Sequence, residues 1–218
     1  MWVAVVAAAV GLTGCTREVD GSAVAAGPLS TTDLRAVLLD ADEIDDVLQL
    51  SGTEVLDEGD APDDVTEVDP SACHGLVYIA GEVEYESSGF TAMLWRVAGP
   101  GGAGDVVEMV AQLPSVAEAD EFVGEQTRMW EGCEGEVITS RDKASGSISQ
   151  ERVTAVKARP HMVIASMDSM SRARPCQYGQ HLLQAVSSAV LDVSACSNTV
   201  PDPAEAIAAK LVDRLGAG

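Results

Sequence analysis

Positive charge is scarce in this chain. Lys and Arg number 13 against 35 Asp and Glu, for a net charge of −22 over 218 residues and an isoelectric point near 4.2. Nucleic-acid affinity comes mostly from neutralised phosphates, so a chain this acidic is excluded as a nucleic-acid binder. Anionic lipid head groups should repel it as well. Histidine is almost as rare: His74, His161 and His181 stand far apart, and the sequence shows no positioned partner beside any of them. Catalysis by histidine needs such a partner. There is no Gly-x-Ser-x-Gly elbow, no His-Glu-x-x-His, and no glycine loop ending in Gly-Lys-Ser/Thr. Cys-x-x-Cys pairs and Cys/His clusters at ligand spacing are lacking too, so neither zinc nor any cofactor is expected. No apolar run beyond the first dozen residues is long enough to span a bilayer.

What is present begins at the N-terminus. Residues 2–12 are apolar but too short for a permanent span, and they end in Leu12-Thr13-Gly14-Cys15. A small residue before cysteine, with an aliphatic residue three before it, resembles the lipobox of bacterial lipoproteins. The resemblance implies diacylglyceryl attachment at Cys15, cleavage just before it, and a cell-membrane location on the extracytoplasmic face. One departure is the lack of Lys or Arg ahead of the apolar core, which points to a start upstream of Met1. With Cys15 as lipid carrier, Cys73, Cys133, Cys176 and Cys196 form an even set, read as two disulfides in an exported chain. Spacing alone allows three pairings.

Residues 1–14 are therefore expected to be a signal peptide, 15–32 a Gly/Ala/Ser/Thr-rich tether, and 33–218 one domain. Asp40 and Glu43 form a capping box that opens a helix with Ile44, Val47 and Leu48 on its apolar face. Residues 51–68, with seven acids, read as an exposed loop, and Asp69-Pro70 as the start of a second helix. Alternating runs at 90–97 and 106–113, separated by glycine and proline, predict antiparallel neighbours. Ser115 and Glu118 cap a helix whose inner face is Ala119, Phe122, Val123, Gln126 and Trp130. Three strands follow at 136–139, 147–158 and 161–166. The stretch 176–196 reads as a short helix feeding a strand, with a cysteine at each end, and Pro201-Asp202-Pro203 opens a last helix. Short hairpin loops and irregularly placed helices make this an α+β pattern. Among the few aromatics, Trp130 reads as core, while Tyr85 and Trp95 are candidates for lining a groove.

Several segments together carry a resemblance that covers roughly residues 33–215. They are Leu38-Leu-Asp-Ala-Asp-Glu-Ile44, Cys73, Tyr85-Glu-Ser-Ser-Gly-Phe90 and Leu113-Pro-Ser-Val-Ala-Glu-Ala-Asp-Glu-Phe-Val123. To these are added Trp130-Glu-Gly-Cys133, Cys176-Gln177 and Val190-Leu-Asp-Val-Ser-Ala-Cys196. In order and spacing the set is similar to the extracytoplasmic sensor domain of PknH-type kinases, a domain also found alone in actinobacterial lipoproteins. The resemblance implies a strongly twisted antiparallel sheet flanked by helices, bridges 73–133 and 176–196, and a cleft for an unidentified small or cell-envelope ligand. Two departures bear on that cleft: Arg172-Ala-Arg-Pro175 stands where a tryptophan is expected, and Ser187-Ser188 where asparagines are. The given residues hold no kinase domain, so the resemblance implies a signal passed to another protein. The expected function is thus a ligand-binding or sensor module without catalysis, anchored in the membrane by its lipid. A cell-envelope hydrolase and a passive structural protein are the alternatives.

Overall fold

The computed structural model describes residues 29–64, 66–101, 105–170 and 176–216. Nine strands form one antiparallel sheet in the order β1-β3-β4-β9-β8-β7-β6-β5-β2. They are β1 (Thr53–Gly59), β2 (Thr66–Asp69), β3 (Ala92–Pro100), β4 (Val106–Gln112), β5 (Val137–Asp142), β6 (Ile148–Arg159), β7 (Met162–Ser169), β8 (Tyr178–Val186) and β9 (Ala189–Ser197). Six helices complete the described residues: α1 (Thr31–Val37), α2 (Ala41–Leu48), α3 (His74–Val77), α4 (Glu82–Tyr85), α5 (Val116–Glu131) and α6 (Pro203–Gly216). The fold is the expected α+β class with a curled antiparallel sheet and two disulfides, Cys73–Cys133 and Cys176–Cys196.

Two cores form because the sheet is covered on both faces. On one side α5 lays Ala119, Phe122, Val123 and Trp130 against Val163, Ala165, Leu183 and Val190. On the other, Leu34, Ile44, Leu48, Ile207 and Leu211 from α1, α2 and α6 pack on Leu94, Val110, Leu191 and Val193. Burying each of these large side chains contributes roughly 1.5–3 kcal/mol. Local signals agree with this packing. Asp40 caps α2 reciprocally with Glu43, and the Ser115 side chain accepts from the Glu118 backbone N–H.

Three expectations are corrected. Residues 178–186 are the strand β8, paired over its whole length with β9. The spacing of Tyr178, Leu182 and Ala185 imitated a helix because β8 is covered on both faces. Gln180, His181, Leu182 and Leu183 are all buried, so no alternation survives. Residues 51–68 hold the two outermost strands, β1 and β2, rather than a loop alone. Each pairs on one side only, and the acids on their exposed positions are what protects a free edge from further pairing. Asp69 ends β2, and Pro70 precedes a single 3-10 turn, Ser71–Cys73, that runs into the four-residue α3. Pro70 is thus the residue before that turn, and Asp69 caps no helix. Separately, α1 opens at Thr31 with Ser30 as its cap. The leader, Cys15 and most of the tether lie outside the described residues, as does the Arg172–Pro175 departure.

Candidate functional site: a groove inside the curled sheet

Trp95 of β3 and Asp142 of β5 line one cavity although their strands are six places apart in the sheet, with Ser194 of the central β9 between them. The sheet therefore curls onto this face. Val97 and Val107 belong to its surface, and Val77, Tyr78 and Ile79, at and just after the end of α3, form a wall. The cavity measures about 320 Å³, and Asp57, Asp63 and Asp142 stand around it. Trp95 is fixed from behind: its Nε1–H donates to the Ala61 carbonyl at 2.8 Å. Its ring lies so close over Gly59 that a Cβ there would meet it at 2.3 Å.

Ser194 also borders a second cavity of about 280 Å³, lined by Asp105, Ser149, Glu151, Met167, Ser169, Gln180 and the Cys176–Cys196 bridge. Burial raises the Glu151 carboxyl above its usual range, against a smaller opposing effect of His181. Gln180 is buried; its Nε2 donates to Asp202, and among the described residues its Oε1 has no donor. Ser194 borders both, so the two cavities are neighbours on the sheet, and together they are called the groove below.

A buried polar cluster lies next to the groove surface. His181 is the cross-strand partner of Ser194. Its Nδ1–H donates to the Leu76 carbonyl at 2.6 Å and its Nε2–H to Asp192 Oδ1 at 2.5 Å. Both ring nitrogens thus face an acceptor oxygen. Tyr85 Oη donates to the other oxygen, Asp192 Oδ2, at 2.9 Å. Trp130 packs on the imidazole at a centroid distance of 4.5 Å. Burial first, and then the Asp192 carboxylate, hold the Tyr85 hydroxyl well above its ordinary pKa. Tyr85, His181 and Asp192 are each at most 3 % exposed. The trio thus ties α3 and α4 to the sheet, and its burial keeps it from meeting a substrate.

Of the two proposed cleft residues, Trp95 lines the groove and Tyr85 does not. Tyr85 is enclosed because its hydroxyl is needed by Asp192. All four disulfide cysteines are bridged as the resemblance implied, with Cα–Cα separations of 5.9 and 5.7 Å. Each histidine has an acidic partner that sequence reasoning missed: His74 with Glu84, His161 with Asp120, and His181 with Asp192. The last pair was legible in principle. In a hairpin with this register they sit diagonally on one face, His181 opposite Ser194 and Asp192 opposite Leu183. Reading 176–186 as a helix hid it.

Fold and bridges are those of a known class of extracellular domain: the chain belongs to the family of PknH-like extracellular domains, whose model matches residues 29–214. That family indicates an extracytoplasmic location and no catalytic class. Among individual proteins, the chain is 27% identical over 195 residues to the serine/threonine-protein kinase PknH of Mycobacterium bovis, covering 86% of this chain and 32% of the kinase. The PknH kinase of Mycobacterium tuberculosis matches at the same 27%, with 30% of its length covered. The chain thus spans about a third of the length of these relatives. The crystal structure of the extracellular domain of PknH from Mycobacterium tuberculosis superposes with a TM-score of 0.77 at 23% identity, covering 88% of this chain and 98% of that one. It shares the fold.

Proposed function

We propose that this chain is an extracytoplasmic ligand-binding sensor module, held at the membrane through a lipid on Cys15, without chemistry of its own. It takes a small or cell-envelope-derived ligand in the groove and passes the signal to a separate protein. The observation that carries the reading is the groove's construction. Its Val77–Ile79 wall follows α3, which is held by the Cys73–Cys133 bridge and the His181–Leu76 hydrogen bond. A ligand that moves this wall acts on residues tied to the sheet and to α5, which is what a sensor requires. The test is native mass spectrometry of the full-length protein after incubation with an envelope extract. A retained small molecule, lost in Trp95→Ala, supports the reading; a protein that comes through empty under all conditions overturns it.

One feature favours a second reading, a hydrolase. Glu151 keeps its proton to higher pH than an ordinary carboxyl inside the groove, as a general acid must. Release of sugars from envelope glycan that stops with Glu151→Gln would establish that activity.

A further inference from the structure

The Trp95 end of the groove has an unusual chemical balance. Asp57, Asp63 and Asp142 line it, and none of its described lining residues is Lys, Arg or His. No ion pair joins any of the three carboxylates to a cation among the described residues, although the molecule pairs its scarce cations elsewhere. Arg35 and Arg96 go to Glu58, Arg159 to Glu205, and Arg214 to Glu43. Lys143 and His74, near this end in the chain, are already paired with Asp64 and Glu84. The Asp142 carboxyl is held below its ordinary range by the Ser145 hydroxyl and backbone N–H, so it stays charged into mildly acidic conditions.

The other half of the lining is carbon. Trp95 and Tyr78 contribute rings, and Val77, Val97 and Val107 aliphatic surface. Aromatic faces beside unpaired carboxylates attract a cation that carries its own apolar body. A bare metal ion is a poorer fit: among the described residues no group of three or more His, Cys, Asp or Glu is placed to hold one. The carboxylates are spread around a cavity of about 320 Å³, the size of a compact organic group.

We propose that this cavity takes an organic ammonium group, primary or quaternary, whose charge is met by Asp57, Asp63 and Asp142 while its carbon body lies against Trp95 and Tyr78. This inference rests on the groove being the ligand site and narrows the ligand to a cationic class.

Calorimetric titration of the full-length protein with choline and with its neutral isostere 3,3-dimethylbutanol tests it. Choline is expected to bind about tenfold more tightly than the isostere, by the charge it adds beside an aromatic face. Raising the salt concentration should weaken choline binding and leave the isostere unchanged. Trp95→Leu should abolish the preference. Asp57→Asn, at an exposed edge position that leaves the fold intact, should reduce it several-fold. Equal affinity for choline and the isostere overturns the cationic class while leaving a neutral groove ligand, and with it the sensor reading, in place. Choline binding indifferent to both substitutions overturns the site. If neither choline nor glucosamine, titrated in the same way as the primary-ammonium probe, gives a binding signal, the cationic class is wrong, and the sensor reading stands or falls on the envelope-extract experiment alone.

Discussion

Glu108 shows how far a single residue can set the behaviour of this domain. It lies on β4 with no exposed surface, and among the described residues neither carboxylate oxygen has a full hydrogen bond, the Leu39 backbone N–H being its weak polar neighbour. Arg96 Nη1 approaches to 3.7 Å, but that guanidinium already serves the Leu39 carbonyl and Glu58. Burial therefore wins over Arg96, the Leu39 N–H and Arg214, and the carboxyl is pushed up to about 8 from 4.5. The sign follows directly. An acid whose folded pKa is raised gives stability that is complete below about 4.5 and lost as pH rises through about 8. His74 acts in the same direction: the Glu84 hydrogen bond raises it, so its contribution is also lost as pH rises. Thermal melts should therefore show lower stability at pH 9 than at pH 5, on the order of a few kcal/mol in all. Glu108→Gln should flatten that profile and raise the melting temperature at pH 9; an unchanged profile would mean Glu108 is ionised and paired when folded. None of this was legible beforehand, because Glu108 is one acid among 35 and only the sheet register puts it beneath the Leu38–Asp40 junction. Gly59 offers a second test at this scale. A methyl group there would strike the Trp95 ring, so Gly59→Ala should lower stability by about 1–3 kcal/mol, read from the denaturant midpoint, and weaken any groove ligand.

At the scale of elements, the two disulfides do different work. Cys73–Cys133 closes 60 positions and joins the turn before α3 to the residue pair after α5, elements that share few other contacts. In the chain-entropy model a loop of that length is worth about 4 kcal/mol. Cys176–Cys196 closes 20 positions between neighbouring strands already matched at nine residue pairs, so much of its constraint duplicates the hairpin. Cys73→Ala with Cys133→Ala should accordingly cost several times more than Cys176→Ala with Cys196→Ala. Urea unfolding midpoints would check this, and equal losses would contradict the redundancy. The elements also show where sequence patterns run out. The α5 face was fully legible, since every inward residue from Ala119 to Trp130 obeys helical spacing on a helix covered on one side only. The β3–β4 pairing was legible from its two β-rich runs, although β3 runs on through Gly99 and Pro100, which the sequence had placed in the turn. β8 was not, because two-sided burial erases the period of 2. β1 and β2 were not, because edge strands carry the composition of loops. The groove was legible only at Trp95. Its acids lie on strands and loops that no local pattern brings together.

For the molecule as a whole, the proposed lipid anchor would have to hold an unusually acidic domain at a membrane. Among the described residues no helix is long and apolar enough to cross one. Charge works against adsorption, since −22 faces the negative potential of anionic lipids and 13 basic side chains are too few to reverse it. The attachment proposed above lies ahead of Leu29, where Cys15 follows the apolar run. A diacylglyceryl group supplies two acyl chains at about 0.8 kcal/mol per buried methylene, and two chains are what stable anchoring needs. Such an anchor is indifferent to ionic strength, whereas an electrostatic attachment is not. The expected outcome is a protein that stays in the membrane fraction through a 1 M salt wash, roughly a 3 Å screening length, and enters the detergent phase on phase separation. Cys15→Ala should leave the domain folded, with both bridges formed, yet uncut by the lipoprotein peptidase and absent from the detergent phase. Release of the unsubstituted protein by salt, or unchanged partitioning of Cys15→Ala, would remove the lipid from this account while leaving the groove and its ligand chemistry as they stand.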